Sequence, residues 1–282
     1  MKQLILPYDV MKIIYDYSDI KTKINLAKIN DKMLTFMTEV TVEGDDNTWI
    51  HDYQVIEKFY KLKKIKLIKY KLNAYAFNYE YLTELIIKFS SNMSDMHLKK
   101  TPNITKLKLS GHSEISNVGL IFLPKLTNLY IKYNKEITDK GLIHCINLKT
   151  LKIDYCKNIT FGMLSDLQKL ENLSINRCEI DLDLRCNTNL KKLKIGLGVS
   201  ISNKKIPKSV TKLKVLNSYV INNGNIDYLK NLEVLIIGKP QNILYYNISC
   251  LQYLKKLVYY KEDDDNEDNE DNEDNEDNED NE

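Results

Sequence analysis

One six-residue phrase recurs along this chain at a nearly fixed step. ITKLKL begins at Ile104, LTNLYI at Leu126, LKTLKI at Leu148 and LENLSI at Leu170, evenly spaced. At a similar pace LKKIKL (Leu62) and LTELII (Leu82) lie upstream, and LKKLKI (Leu190), VTKLKV (Val210), LEVLII (Leu232) and LKKLVY (Leu254) lie downstream. The step is constant through the middle copies and slightly shorter from Leu62 to Leu82, from Leu170 to Leu190 and from Leu190 to Val210. A period of about 22 residues marks stacked structural units. In LxxLxL an extended chain alternates, so the first, fourth and sixth positions point to one side and the residues between them to the other. One turn cannot bury its leucines alone. Neighbours stacked in register make a continuous core and a ladder of strands.

That period, carrying LxxLxL, resembles the leucine-rich repeat, which implies an α/β repeat solenoid, a horseshoe with parallel strands on its concave side. Repeats of this kind use Asn or Cys two positions past the strand to satisfy backbone groups at the bend. Here that column reads His112, Asn134, Cys156, Cys178, Gly198 and Ser218. Farther round the coil runs an apolar column of Ile115, Ile137, Ile159, Ile180, Ile201 and Ile243. In NKEITDKGLIHC, from Asn134, Thr138 and Asp139 are helix-capping residues ahead of a short convex segment. This turn is similar to the CxxITDxGL phrase of cysteine-containing leucine-rich repeats, with CKNITFGML (Cys156) and HSEISNVGL (His112) as looser versions. The resemblance spans Leu62 to Tyr260.

The N-terminus departs from the repeat. From Leu6 to Asn30 the chain reads LPYDVMKIIYDYSDIKTKINLAKIN, two short helices after a Pro suited to a first helical turn. Val10, Ile13, Ile14 and Tyr17 share one face, and Asp19 can cap a second helix with Ile24, Leu26, Ala27 and Ile29 on its apolar side. The stretch resembles the F-box, roughly LPxELLxxILSYLDPxDLLRLAQVCKRW, with Ser18 where a leucine is usual and Met33 where an aromatic is usual. The resemblance implies docking on the Skp-type adaptor of a cullin ubiquitin ligase through Leu6, Pro7, Val10, Ile14, Tyr17, Leu26 and Ile29. The same amphipathic pattern also suits a cap over the open end of a solenoid. From Thr41 to Tyr60 a turn and an amphipathic helix are expected, with the chain's one Trp, Trp49, over the first repeat. The composition, rich in Lys, Asn and Ile, is similar to that of F-box and leucine-rich-repeat proteins encoded by giant DNA viruses.

The net charge of +2 hides an asymmetry. Residues 262–282 hold 15 of the 39 acidic residues and none of the 41 basic ones, so the remainder carries +17. A block this charged and free of apolar residues cannot bury a core and is expected to be disordered. The two charge blocks are expected to meet. No run of 18 apolar residues suggests a membrane span, and MKQLILPYDV lacks the features of a secretory leader. Five cysteines without CxxC spacing suit a reducing compartment. The expected location is intracellular and cytoplasmic, the host cytoplasm for a viral chain.

Catalytic chemistry finds no pattern to rest on. His51, His97, His112 and His144 fall at unrelated repeat positions, and no nucleophile is set beside a base and an orienting group. Cys156 and Cys178 share a repeat position and read as stacked buried thiols. His144-Cys145 lacks a second ligand pair for zinc. Ile195-Gly196-Leu197-Gly198 lacks the third glycine and the helix of a dinucleotide loop. No cofactor or metal is expected.

The outward strand positions carry the informative surface. They include Lys64, Lys66, Lys106, Lys108, Lys132, Lys152, Lys192, Lys194, Lys212, Lys214 and Lys256, interrupted by Tyr130, Asp154, Ser174 and Asn176. Lys106, Lys108, Tyr130, Lys132, Lys152, Lys192, Lys194, Lys212 and Lys214 are the candidate target-binding set. Arginine and aromatic residues, suited to phosphate forks and base stacking, are sparse at these positions, which argues against specific nucleic-acid recognition. The expected organisation is an F-box-like module (1–42), a helical linker or cap (43–61), a solenoid of about ten repeats (62–261) and an acidic tail (262–282). The expected function is a non-enzymatic substrate receptor that recruits a protein target, an acidic one included, to the ligase. A repeat scaffold without a ligase role, or a polyanion-binding protein using the lysine face, are the alternatives.

Overall fold

The computed structural model describes residues 39–43, 63–68, 80–89, 91–111, 113–201, 204–216, 226, 228–238 and 248–260. The F-box-like stretch, Trp49, His51, His112, Ser218, Ile243 and the acidic tail lie outside them. In chain order the strands are β1 (Glu39–Glu43), β2 (Lys64–Ile68), β3 (Glu84–Lys88), β4 (Ser91–Ser94), β5 (Lys106–Ser110), β6 (Ser113–Glu114), β7 (Asn128–Lys132) and β8 (Thr150–Asp154). They continue as β9 (Asn172–Asn176), β10 (Ile180–Leu182), β11 (Lys192–Ile195), β12 (Val199–Ile201), β13 (Lys212–Val215), β14 (Val234–Gly238) and β15 (Lys256–Tyr260).

Each LxxLxL phrase supplies one strand of a parallel sheet with the order β1-β2-β3-β5-β7-β8-β9-β11-β13-β14-β15. The register places Leu107 beside Leu129, Leu129 beside Leu151, and so on through Leu173, Leu193 and Leu213. All six are at most 2% exposed, and Leu85 and Leu235 extend the column at either end. The isoleucine column closes the far side of the core, with Ile115, Ile137, Ile159 and Ile201 buried and Ile180 half-buried.

The ladder starts one strand earlier than the repeat phase suggests. Strand β1 falls across the boundary expected between helical module and linker, and pairs with β2 so that Val40 opposes Ile65 and Val42 opposes Leu67. The stretch of chain from Val40 to Ile65 is longer than the step from Ile65 to Leu85 or from Leu85 to Leu107. A search at the repeat step therefore passes over it. The EVTVE stretch still alternates with β-branched residues, which fit a pleated ladder.

The outer layer changes along the chain. Its first turns carry helices α1 (Asp95–Lys99), α2 (Asn117–Ile121) and α3 (Asp139–Leu142), followed by a 3₁₀ turn at Gly162–Asp166. Strands β4 and β6 pair as a small parallel sheet just ahead of α1 and α2; where the step shortens, between Leu170 and Val210, β10 and β12 form such a pair with no helix after β10. The caps of the helical turns also join neighbouring coils. Asp95 accepts from the Ser116 amide (2.8 Å) and hydroxyl (2.6 Å), Asn117 from the Thr138 amide (2.8 Å), and Asp139 from the Thr160 amide (2.9 Å). Ser116 and Thr138 meanwhile cap their own helices. This latch explains the glycine of the ITDxGL phrase: a Cβ on Gly141 would lie 2.5 Å from Asn117 Oδ1. On the opposite side, the amides of Asn103, Asn147, Asn189 and Asn231 donate to carbonyls of the preceding turn at 2.7–2.9 Å.

Leu151 sits in the middle of the leucine column with no exposure. Leu151→Ala is expected to lower the unfolding free energy by about 2–5 kcal/mol, read as a lower midpoint in chemical denaturation. An unchanged midpoint would contradict a core stacked in this register.

Candidate functional site: a lysine face with an aromatic rim

The register that buries the leucines lines up the outward residues in rows. One row runs Lys64, Glu84, Lys106, Asn128, Thr150, Asn172, Lys192, Lys212, Val234 and Lys256. The next runs Lys66, Ile86, Lys108, Tyr130, Lys152, Ser174, Lys194, Lys214, Ile236 and Val258. Every candidate target-binding residue is brought onto this one face, each half-buried: Lys106, Lys108, Tyr130, Lys132, Lys152, Lys192, Lys194, Lys212 and Lys214. The adaptor-binding candidates Leu6, Pro7, Val10, Ile14, Tyr17, Leu26 and Ile29 lie outside the described residues. The rows also carry residues a search for lysines passes over. Ile86 is buried, and Val234, Ile236 and Val258 give the C-terminal end an apolar character.

Charge is distributed unevenly over the face. In the first half carboxylates sit among the lysines: Glu84 lies 4.0 Å from Lys64 and 3.3 Å from Lys106, and Asp154 lies 3.7 Å from Lys132. The second half holds a depression of about 180 Å³ over β8, β9, β11, β13 and β14. Lys152, Lys192, Lys194, Lys212 and Lys214 surround it, with Thr150, Asn172 and Ser174 at one end and Val234 and Ile236 at the other.

Beside the face runs a second feature, one residue past the strands. Phe89, Tyr133, Tyr155 and Arg177 occupy the same position in their turns and have left-handed backbone, with φ of 65°, 57°, 53° and 52°. Gly111 holds that position in the remaining turn, with φ of 96°. The conformation costs a residue with a Cβ about 1–2 kcal/mol. It also turns the backbone amide onto the next coil: Tyr133 N–H donates to Asp154 O (3.1 Å) and Tyr155 N–H to Asn176 O (3.2 Å). The side chains stack along the rim. The Tyr133 and Tyr155 rings lie 4.8 Å apart, nearly parallel at 24°, and the Arg177 guanidinium lies 5.0 Å from the Tyr155 ring centre. Lys132 approaches the Tyr133 ring at 5.6 Å. Asp154, 7% exposed, sits under the stack between Lys132 and Arg177, 3.4 Å from the latter. Aromatic pairs and cation–π contacts each contribute about 0.5–1.5 kcal/mol, which offsets part of the backbone cost. Phe89, Tyr133 and Tyr155 remain 52%, 43% and 42% exposed. Reading the strand positions alone misses this column; its signal is the repeat step that carries Phe89 through Gly111 to Arg177.

The bend column behaves as expected of buried polar groups. Asn134 Oδ1 accepts from the amides of Glu136 (2.9 Å) and Ile137 (2.8 Å), and its Nδ2 donates to Ile115 O (3.2 Å). In the next two turns Cys156 and Cys178 replace it, their thiols pointing at the carbonyls of Asp154 and Asn176 at 3.3 Å each. Burial pushes the Cys156 thiol up to about 11 and the Cys145 thiol up to about 12, and raises Cys178 as well. These thiols are poor nucleophiles and poor metal ligands, since both roles need the thiolate. Gly196 and Gly198 form a repeat turn: Asn176 Oδ1 accepts from the Leu197 amide (3.0 Å), and Gly198 is left-handed with φ of 71°. Among the described residues no group of three or more His, Cys, Asp or Glu side chains is placed to hold a metal ion, and no helix is long and apolar enough to cross a membrane.

The architecture recurs in solved structures. The internalin InlF of Listeria monocytogenes aligns at a TM-score of 0.60 and 19% identity, over 90% of this chain and 74% of its own. TLR13, solved in complex with ssRNA13, aligns at 0.52 and 18% identity over 71% of this chain and 36% of its own. The functional domain of InlJ from Listeria monocytogenes, which includes a cysteine ladder, aligns at 0.50 and 15% identity over 76% and 53%. The chain thus spans about a third of that TLR13 chain and half of that InlJ chain. No protein-family model and no curated protein sequence matches this chain. The fold is that of the leucine-rich-repeat proteins.

The thiols give a direct check on the buried column. In the native protein at pH 8, iodoacetamide is expected to modify the exposed Cys186 and Cys250 and to spare Cys145, Cys156 and Cys178, as mapped by peptide mass spectrometry. The raised thiols stabilise the fold while both states keep them protonated, below the ordinary value of 9.0. Above it the unfolded chain loses these protons first, so the contribution falls away as the pH rises from about 9.0 to the folded values of about 11 and about 12, and the unfolding midpoint should drop across that window.

Proposed function

We propose that this protein is a non-enzymatic receptor that holds a protein target against its concave face and aromatic rim. The observation that carries this reading is the exposed Tyr133–Tyr155–Arg177 stack beside the lysine rows. Aromatic residues and arginine dominate binding energy at protein interfaces, and here they are stacked on one another over left-handed backbone. Ordering them on binding therefore costs little side-chain entropy. The geometry favours a protein partner over nucleic acid. Stacking a base needs an open ring face, whereas Tyr155 has Tyr133 and Arg177 stacked on it. With Lys132 over the Tyr133 ring as well, the stack sets cations beside its rings.

The N-terminal stretch gives this receptor a second partner. Leu6, Pro7, Val10, Ile14, Tyr17, Leu26 and Ile29 fit the F-box pattern and precede the repeats, an order that suits a module delivering the solenoid's target to the Skp-type adaptor of a cullin-type ubiquitin ligase. In this reading residues 1–42 bind the adaptor, the solenoid binds the target, and the chain works inside the cell. If the target is retained and the adaptor is not, the protein is a repeat scaffold.

Two measurements test these halves separately. Replacing Pro7 and Ile14 together with polar residues is expected to abolish co-purification of the adaptor while the captured target is kept. Capture of the adaptor at an unchanged level refutes the ligase role. Tyr133→Gly with Tyr155→Gly relieves left-handed backbone while removing the stack. Thermal stability is expected to stay within a few degrees, because the losses and gains are each about 1 kcal/mol, while target capture falls at least about tenfold. Unaltered capture would move the target off the rim.

A further inference from the structure

The concave face divides electrostatically, and the division has a use. Near β3 and β8 the lysines have carboxylates within 3.3–4.0 Å, supplied by the sheet itself through Glu84 and Asp154. The depression farther along has five lysines and, among the described residues of its lining, no acidic side chain. Four of those lysines stand in direct cross-strand register, Lys192 with Lys212 and Lys194 with Lys214. Like charges placed directly opposite each other destabilise a ladder. Two such pairs on adjacent strands make a compact square of positive charge.

The chain carries the matching anion. Residues 262–282 contain 15 carboxylates and no cation, arranged mainly as an NED triplet. The preceding strand, β15, ends at Tyr260 on the edge of the same sheet. With strands about 4.8 Å apart, β13 lies about 10 Å from β15, β11 about 14 Å and β8 about 24 Å. Twenty-one residues can reach at most about 70 Å when fully extended. The whole depression is within its reach. Tethered at that distance, the segment is present at an effective concentration in the millimolar range, far above any free acidic peptide.

We infer that the depression over β8–β14 is a binding site for an extended acidic peptide, and that its resident occupant is the chain's own 262–282 segment. The contacts are lysine–carboxylate pairs, so the site reads charge density rather than sequence. An outside acidic segment binds there only by displacing the tail. The tail therefore sets a threshold against weak polyanions, and a target passes it by adding contacts elsewhere on the face, such as the aromatic rim. This inference rests on the concave face being a binding surface and is independent of the adaptor.

Two experiments on the full-length chain test it. Zero-length carbodiimide coupling of the monomer is expected to join tail carboxylates to Lys192, Lys194, Lys212 or Lys214, read by peptide mass spectrometry. Couplings spread equally over outer-surface lysines such as Lys140, Lys157 and Lys204 overturn the inference. In the second, binding of polyglutamate is compared between the wild-type chain and one with Asp→Asn and Glu→Gln throughout 262–282. The neutral-tail chain is expected to bind about tenfold tighter at low salt, with the gap closing below about twofold at about 0.5 M salt, where screening acts within a few ångströms. Equal affinities at low salt, or no binding by the neutral-tail chain, overturn it. Adding Lys212→Glu and Lys214→Glu to the neutral-tail chain should abolish the gained affinity. If the affinity survives, the polyanion binds elsewhere.

Discussion

No turn of this protein can complete itself. Its strand finds hydrogen-bond partners only in the turns before and after it, and its leucines lose contact with water only when those turns close over them. The same dependence shows in the smaller interactions. Asp95, Asn117 and Asp139 each satisfy the amide of the following coil, and Asn103, Asn147, Asn189 and Asn231 each satisfy a carbonyl of the preceding one. A buried leucine contributes about 1.5–3 kcal/mol and a net hydrogen bond about 1 kcal/mol. Nearly all of that is held between turns rather than within them.

This arrangement separates the residues that hold the fold from those that can vary. Alternation along the strand sends Leu107, Leu129 and Leu151 inward and Lys108, Tyr130 and Lys152 outward, so the chemistry of the face is chosen almost independently of the core. The rim is the exception. Tyr133, Tyr155 and Arg177 sit in strained backbone, and the amides of the two tyrosines donate to the next coil, so the display is tied to the stacking itself. Positions of that kind are where a repeat protein gives up stability to present a side chain.

Much of this is legible from spacing. The repeat step locates ten of the eleven ladder strands, the leucine column and the lysine rows, because a period-two strand leaves little freedom about which residue faces where. Strand β1 escapes because the chain between it and β2 is longer than the step that relates the other strands. The aromatic rim escapes for a different reason: it belongs to no strand, and neither Phe89 nor Arg177 suggests a neighbour until the left-handed turn is seen. The division of the face, with Glu84 and Asp154 among the early lysines and no carboxylate among the described residues lining the later depression, needs the register between strands. The adaptor-binding residues rest on pattern alone.

The change in the outer layer from helices to strands bears on curvature. A helix with its side chains is about 10 Å across, while the inner strands are spaced at about 4.8 Å. Neighbouring coils backed by α1, α2 and α3 must therefore fan outward, which bends the sheet toward its concave side. Where β10 pairs with β12, inner and outer layers are both strands and advance at the same spacing. Phe89 and Tyr133 of the rim stand on helix-backed turns, Arg177 on the turn that carries β10, and β11 of the lysine square on the turn that carries β12. The stack from Tyr133 to Arg177 therefore bridges the change of pace, and a ligand seated on it would be held where the two kinds of turn meet.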